Sequence, residues 1–150
     1  MILKPVYIRR INMSTEENKA VPRRWLEIFN EGKLDVIDEI LDKDYYNSLL
    51  NVRGLESVRQ FVIAYRTSFP DIKFTVEDQI AEGDKVTTRF SATGTHRGEF
   101  MGVAPTGKTV KIATLTVYRI VNGKIVEGWS IMDNLGTLQQ LGATSLPEKK

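Results

Sequence analysis

The chain has 150 residues, of which 41% are hydrophobic and 27% are charged, and this composition is typical of a single globular domain. Lysine and arginine together exceed aspartate and glutamate by only two, and they are scattered along the chain, so the charge pattern does not favour a nucleic-acid partner. The absence of cysteine excludes disulfides, thiolate nucleophiles and cysteine zinc sites, and a single histidine excludes a histidine-rich metal site.

No apolar run approaches the ~20 residues that a membrane helix requires, and the N-terminus lacks the apolar segment of a signal peptide. We therefore expect a soluble, cytoplasmic protein with neither a membrane nor a nucleic-acid partner. We expect one domain over residues 14–142, preceded by an N-terminal arm of residues 1–13 and followed by a flexible tail of residues 143–150.

The first half of the chain predicts three helices. The segment from Ser14 to Glu17 is a capping box, and it opens a helix that extends to Gly32. Pro22 either kinks this helix or marks where its regular part begins. Residues 34–41 repeat an amphipathic pattern as a short second helix, and residues 54–70 form the third. We interpret the apolar stripe of the first helix, Val21, Trp25, Ile28 and Phe29, as core; the alternative is that it forms a ligand wall.

A short strand is predicted over residues 44–50, and it places Tyr45 and Asn47 on one face. A phenol and an amide side by side can bind one oxygen atom of a ligand; the alternative is that both are surface residues of an edge strand. After the third helix only strands follow until a last helix begins beyond Asn134. Helices followed by a run of strands, without alternation, indicate an α+β fold.

Three of the predicted strands carry further candidate residues. Residues 71–81 alternate between apolar and polar, which places Asp78 on the apolar side as a buried carboxylate, unless it is solvated at the strand end. The next strand brings His96 to the face of Phe90, where it is either a hydrogen-bonded core residue or a catalyst. The strand over residues 109–121 is apolar on both faces, so we expect a partner subunit to cover one of them.

The Asn122-Gly123 dipeptide predicts a two-residue type I′ turn that joins the last two strands as a hairpin. Strand alternation then predicts one shared face for Ile125, Glu127, Trp129, Ile131 and Asp133. Apolar neighbours exclude water from a carboxylate and raise its pKa, so Asp133 is a candidate acid/base near neutral pH. Two alternatives remain: Asp133 caps the helix that begins near Gly136, or a bulge turns it to solvent.

Three segments taken together resemble one family: GTHRGEFMGVAPTGK, VYRIVNGKIVEGW and MDNLGTLQQLG. With the order of helices and strands, they are similar to the SnoaL-like polyketide cyclases (ester cyclases) of the NTF2-like superfamily, over about residues 14–142. The resemblance implies a cone-shaped, curved, mixed or antiparallel sheet wrapped by three N-terminal helices around a deep pocket, and a homodimer or homotetramer formed through the sheet. It also implies a cofactor-independent intramolecular aldol condensation with an aspartate as general acid/base.

On this resemblance Asp133, in the W-x-x-x-D segment, and His96, in G-T-H, are the expected catalytic residues. The expected substrate is a hydrophobic carbonyl compound of the polyketide type, with neither a cofactor nor a metal. The residues expected to bind it are Tyr45, Asn47, Phe61, Tyr65, Phe90, Met101, Tyr118 and Trp129. The chain departs from the family pattern where Ser48 and Gly128 stand in place of histidines.

Three other functions remain open on the same fold. Epoxide hydrolysis would use two aspartates around an arginine, and Asp78, Arg89 and Asp133 supply these residue types without the Arg-x-Asp spacing. A double-bond shift of the ketosteroid isomerase kind needs one carboxylate base and an oxyanion donor. A non-catalytic binding module would use its carboxylate only to pair with a ligand or with Arg119.

Overall fold

A computed structural model describes residues 13–143 of the chain. The predicted arm before Met13 and the predicted tail beyond Ala143 lie outside the described residues. Within them the elements follow in the order α1 (Thr15–Arg23), α2 (Trp25–Glu31), α3 (Val36–Ile40), β1 (Leu41–Asn47), β2 (Val52–Arg53), α4 (Gly54–Ser68), β3 (Lys73–Glu82), β4 (Lys85–Thr95), β5 (Thr109–Val121), β6 (Lys124–Met132) and α5 (Asn134–Gln140). No helix in this part of the chain has the length and apolar character needed to cross a membrane.

The six strands form one open, curved sheet in the order β2-β1-β6-β5-β4-β3. β1 runs parallel to β6, and every other neighbouring pair is antiparallel. The predicted α+β fold, with a curved mixed sheet and N-terminal helices, is therefore confirmed. The β5–β6 hairpin turns at Asn122 and Gly123, whose positive φ angles of 51° and 76° are those a type I′ turn requires.

The first predicted helix is divided into α1 and α2. α1 begins with the predicted capping box, because the Ser14 hydroxyl accepts from the Glu17 N–H (3.2 Å) and the Glu17 carboxylate accepts from the Ser14 N–H (2.7 Å). Pro22 has no N–H to continue the helical ladder, and α1 ends at the residue that follows it. α3 is shorter than predicted, because Leu41 already has an extended backbone and pairs with Ile125 of β6.

An aromatic cluster joins the helices to the sheet. The ring centroid of Phe29 in α2 lies 4.6 Å from that of Phe74 in β3 and 6.3 Å from that of Tyr65 in α4. Ring pairs at such distances stabilise the fold beyond the burial of their apolar area. α1 and α2 pack on β3 and α4 packs on β1, so the helices cover one face of the sheet.

Two β-bulges change which side chains face the helices. The pairing of β3 with β4 skips Glu77, and the pairing of β6 with β5 skips Val126. An extra residue shifts the alternation by one, so the side chains beyond it change face. Asp78 is exposed as a result, and Trp129 lies on the face opposite to the fully buried Ile125. The predictions that Asp78 lies on the buried side and that Glu127, Trp129 and Ile131 share the face of Ile125 are therefore wrong.

Candidate ligand-binding site

A cavity lies between the helices and the covered face of the sheet. Its volume of about 630 Å³ counts all the space between protein atoms, including the opening to solvent. Half of the sixteen residues that line it are aromatic; the full set is Trp25, Phe29, Tyr45, Asn47, Leu50, Val52, Val58, Phe61, Tyr65, Phe74, Phe90, Thr114, Thr116, Tyr118, Ser130 and Met132. Such a wall favours a ligand with a large apolar surface.

A cluster of neutral hydrogen-bonding groups lies in the cavity wall. Asn47 Oδ1 accepts from the backbone N–H of Leu50 (3.1 Å), which directs Asn47 Nδ2 toward the Oγ of Ser130 (2.8 Å). The hydroxyl oxygens of Ser130 and Thr116 are hydrogen-bonded at 2.9 Å, and Asn47 Nδ2 also donates to Tyr45 Oη at 3.4 Å. We call these four buried residues, Tyr45, Asn47, Thr116 and Ser130, the hydroxyl–amide cluster. Because Tyr45 Oη accepts from Asn47, its own proton is available to an acceptor oxygen in the cavity.

Three buried tyrosines in the cavity wall hold their protons well above neutral pH. Burial raises the pKa of Tyr45 to about 12. Burial also raises the pKa values of Tyr65 and Tyr118. The physical cause is that an apolar environment disfavours the charged phenolate. At neutral pH these three side chains are therefore hydrogen-bonding phenols and not bases.

Over residues 13–143 the cavity wall is uncharged, because no Asp, Glu, His, Lys or Arg lines it. The described residues also contain no group of three His, Asp or Glu side chains arranged to hold a metal ion. A carboxylate buried without a counter-charge costs several kcal/mol. The wall therefore suits an uncharged ligand that carries hydrogen-bonding oxygens.

Asp133 follows the end of β6 and does not line the cavity. Its Oδ1 accepts a hydrogen bond from the Gly136 N–H at 2.8 Å, which makes Asp133 the N-cap of α5. The side chain is exposed, so the prediction that apolar neighbours desolvate it is wrong, and the capping alternative matches the observed contact. The preceding residue, Met132, does line the cavity. The carboxylate is therefore close to the cavity wall in sequence but faces solvent.

His96 lies at the base of the loop between β4 and β5, outside the cavity wall. Its Nδ1 accepts from the Thr106 N–H (3.1 Å), and its backbone N–H donates to the Lys108 carbonyl (2.9 Å). The ring is fully buried and packs against Phe69 with 5.6 Å between the centroids. These contacts favour the interpretation of His96 as a hydrogen-bonded core residue that closes the loop.

Six of the eight residues predicted to bind substrate line the cavity: Tyr45, Asn47, Phe61, Tyr65, Phe90 and Tyr118. Their role in binding stays a prediction. Met101 lies in an exposed turn of the β4–β5 loop and does not reach the cavity wall. Trp129 lies on the outer face of the sheet, where the Lys85 ammonium is 6.0 Å from its ring centroid.

Three hydroxyl residues of the cavity were not predicted from the sequence: Thr114, Thr116 and Ser130. Thr114 and Thr116 alternate with Tyr118 along one face of β5, and this regular spacing of hydroxyls was available in the sequence. The sequence did not reveal that Ser130 faces the cavity, because the bulge in β6 decides which face of the strand carries it. Trp25 was assigned to the core, although its indole also lines the cavity.

Comparison with known proteins identifies the family. The family model of the SnoaL-like polyketide cyclases matches residues 19–141. The chain belongs to this family. Among curated SnoaL-like relatives, the aklanonic acid methyl ester cyclase AcmA of Streptomyces galilaeus is 31% identical over 131 residues, which cover 84% of this chain and 91% of that protein. The nogalonic acid methyl ester cyclase of Streptomyces nogalater is 32% identical over 119 residues, or 76% of this chain and 89% of that protein.

Solved structures confirm the SnoaL-like fold. TsrD from Streptomyces laurentii superposes with a TM-score of 0.82 at 26% identity, over 87% of this chain and 98% of TsrD. Wild-type IdmH from Streptomyces antibioticus superposes with a TM-score of 0.72 at 34% identity, over 83% of this chain and 98% of IdmH. Both alignments extend over nearly the whole of the compared proteins, so the likeness is that of a complete domain.

Proposed function

We propose that this chain binds an uncharged, hydrophobic carbonyl compound of the polyketide type in its cavity. The observation that carries the proposal is the combination of an aromatic wall with the neutral hydroxyl–amide cluster and no charged lining residue over residues 13–143. The apolar wall contributes affinity in proportion to the buried area, and the cluster supplies donors for a carbonyl oxygen. The curated relatives are named as cyclases of the methyl esters of aklanonic and nogalonic acid, and a methyl ester is an uncharged carbonyl group.

Aklanonic acid methyl ester and free aklanonic acid form a matched pair of probes for this proposal. They differ in one group, which is neutral in the ester and a carboxylate in the acid. Isothermal titration calorimetry with both should show that the ester binds at least about tenfold more tightly, because the carboxylate loses its hydration without gaining a counter-charge. Failure of both compounds to bind would refute the proposal for this ligand class, and equal affinity would refute the uncharged character of the site.

A second candidate function is cofactor-independent ring closure by intramolecular aldol condensation. The cyclase names of the curated relatives favour it, and so does the place of Asp133 directly after a residue of the cavity wall. In this hypothesis Asp133 removes a proton from the carbon beside a carbonyl, and the resulting enolate attacks a second carbonyl of the same molecule. The protonated Asp133 then returns the proton to the new alkoxide, while the hydroxyl–amide cluster holds a carbonyl oxygen.

The cyclase hypothesis requires the Asp133 carboxylate to leave the Gly136 N–H and turn to the cavity. Loss of an N-cap costs about 1 kcal/mol, which reduces the reactive population only several-fold. General acid/base catalysis increases the rate by about 10²–10⁴-fold, which exceeds the several-fold loss of reactive population. The observed cap is therefore compatible with catalysis by Asp133.

Asp133→Asn tests this hypothesis without removing the cap, since asparagine caps helices as well as aspartate does. The conversion of aklanonic acid methyl ester to its ring-closed isomer is followed by chromatography. The variant should lose at least about 100-fold in rate, because an amide cannot take up the proton. Asp78→Asn changes an exposed carboxylate on β3 and serves as the matched control. A wild-type rate in Asp133→Asn would exclude Asp133 as the base, and a wild-type protein that binds the ester without converting it would leave binding as the function.

A further inference from the structure

Two buried polar groups in the cavity wall have no hydrogen-bond partner within residues 13–143. They are the indole Nε1 of Trp25 and the hydroxyl Oγ1 of Thr114. Each residue is only 9% exposed, and each lines the cavity. A buried donor without a partner costs about 1–3 kcal/mol, and native proteins leave few of them. An unpaired donor beside a ligand cavity therefore points to a ligand atom that pairs with it once the entering ligand has displaced the side chains that shield the donor.

The two groups belong to opposite walls of the cavity. Trp25 is the first residue of α2, and its ring lies 5.8 Å from that of Phe29 between centroids, within the helical layer. Thr114 lies in β5, where it pairs with Phe90 of β4 and Met132 of β6. A ligand that fills the space between the helices and the sheet contacts both walls.

Neither group belongs to the hydroxyl–amide cluster. In that cluster the side chains of Asn47, Ser130 and Thr116 already bond to one another. The indole N–H can only donate, so its partner on the ligand must be an acceptor. A carbonyl or ether oxygen meets this requirement, and an apolar ring edge does not.

We propose that Trp25 Nε1 and Thr114 Oγ1 donate hydrogen bonds to two separate acceptor oxygens of one bound ligand. The ligand class is thus narrowed to uncharged molecules that carry oxygens on two sides, such as polycyclic polyketones. This inference rests on the proposed binding function. It assigns recognition of the ligand's acceptor oxygens to Trp25 Nε1 and Thr114 Oγ1. An apolar molecule of the same shape leaves both donors unpaired and binds more weakly.

Trp25→Phe and Thr114→Val remove one donor each and keep an apolar side chain of similar form. Isothermal titration calorimetry with aklanonic acid methyl ester should show about tenfold weaker binding for each variant and about a hundredfold for the double variant. Thr87→Val makes the same change on β4 at a half-buried position on the outer face of the sheet and should bind as the wild type does. If the wild type binds the ester and both single variants bind within about twofold of it, the inference is overturned while the proposed function stands.

A second measurement on the wild-type protein does not depend on any variant of the cavity. The chain has two tryptophans, so an ¹H–¹⁵N spectrum contains two indole N–H signals, and Trp129→Phe assigns them. Saturation with aklanonic acid methyl ester should shift the Trp25 signal and leave the Trp129 signal in place. An unmoved Trp25 signal in a saturated sample would overturn the inference. No binding heat in the wild type would instead refute the proposed function itself.

Discussion

The hydroxyl oxygen of Tyr45 occupies the space that a side chain on Gly128 would need. A Cβ atom built on Gly128 would lie 2.6 Å from Tyr45 Oη and 3.1 Å from Asn47 Nδ2. Asn47 and Gly128 are direct partners in the parallel pairing of β1 with β6. Gly128, one of the two positions where the family resemblance leads us to expect a histidine, thus leaves room for the Tyr45 hydroxyl in the cluster.

Gly128→Ala should lower the free energy of unfolding by about 1–3 kcal/mol, because Tyr45 must move away from the new methyl group. Urea unfolding at neutral pH measures this change. Tyr45→Phe lacks the hydroxyl oxygen, so in that background Gly128→Ala should lower the free energy of unfolding by less than it does in the wild type. An equal decrease in both backgrounds would show that the new methyl group clashes with an atom other than Tyr45 Oη.

His96→Leu should open the base of the β4–β5 loop, because the Thr106 N–H loses the Nδ1 that accepts its hydrogen bond. Hydrogen exchange of the Thr106 amide should accelerate by about tenfold, the loss expected for one neutral hydrogen bond. His96→Asn offers a carbonyl oxygen near the place of Nδ1 and should restore most of the protection. If His96 were instead a catalytic residue, both variants would lose ring-closing activity, and the asparagine variant would not differ from the leucine variant in rate.

Stability should fall at alkaline pH, because buried tyrosines resist ionisation. The pKa of Tyr45 is about 12 in the folded protein, against about 10 in an unfolded chain. The unfolded chain releases its phenolic proton first, so this contribution to stability is fully present below about pH 10 and is lost as the pH rises through about 12. Tyr45→Phe removes one such group, and its unfolding free energy should fall less steeply above pH 10, by up to about 1.4 kcal/mol per pH unit.

Urea unfolding at pH 9, 10 and 11 checks the alkaline prediction. Tyr118→Phe should reduce the slope in the same direction, because burial raises the pKa of Tyr118 as well. Slopes identical to wild type in both variants would mean that these phenols ionise equally easily in the folded and unfolded chains.

The outer face of the sheet carries an exposed apolar patch. Leu115 (43% exposed) and Ile131 (66% exposed) are direct cross-strand partners on β5 and β6. We propose that a second copy of this chain covers the patch and forms the homodimer or homotetramer that the family resemblance implies. Ile131→Glu should weaken self-association at least about tenfold, because the interface would bury an unpaired carboxylate.

Size-exclusion chromatography with light scattering measures the mass of the assembly over a range of concentrations. Ile63→Glu makes the same substitution at a 42% exposed position on α4, away from the outer face of the sheet, and should leave the mass unchanged. A monomeric wild-type protein, or an unchanged mass in Ile131→Glu, would contradict this interface.

The elements with strong local signals were predictable. The capping box at Ser14, the turn at Asn122 and Gly123 and the amphipathic stripe of α4 each depend on residues close together in the chain. Their geometry is decided within one or two turns of backbone, so tertiary contacts do not override it. The family resemblance, carried by three short segments, extended these local elements to the complete fold.

The faces of the strands were less predictable, because alternation holds only while a strand stays regular. The bulges at Glu77 and Val126 each shift the alternation by one residue and leave no distinct residue pattern in the sequence. They expose Asp78 and place Glu127, Trp129 and Ile131 on the face opposite to Ile125, against the prediction of simple alternation. They also bring Ser130 into the cavity, where the sequence analysis had no candidate.

The sequence by itself determined the α+β class, the order of the elements, the family and six of the residues that line the cavity. Only the tertiary structure decided that Asp133 caps α5 and that, within residues 13–143, the cavity wall is uncharged and Trp25 and Thr114 carry unpaired donors. The physical reason is that composition and periodicity predict only structure formed by residues close together in the chain. The partner of a polar group instead depends on strand register and helix packing, which join residues far apart in sequence.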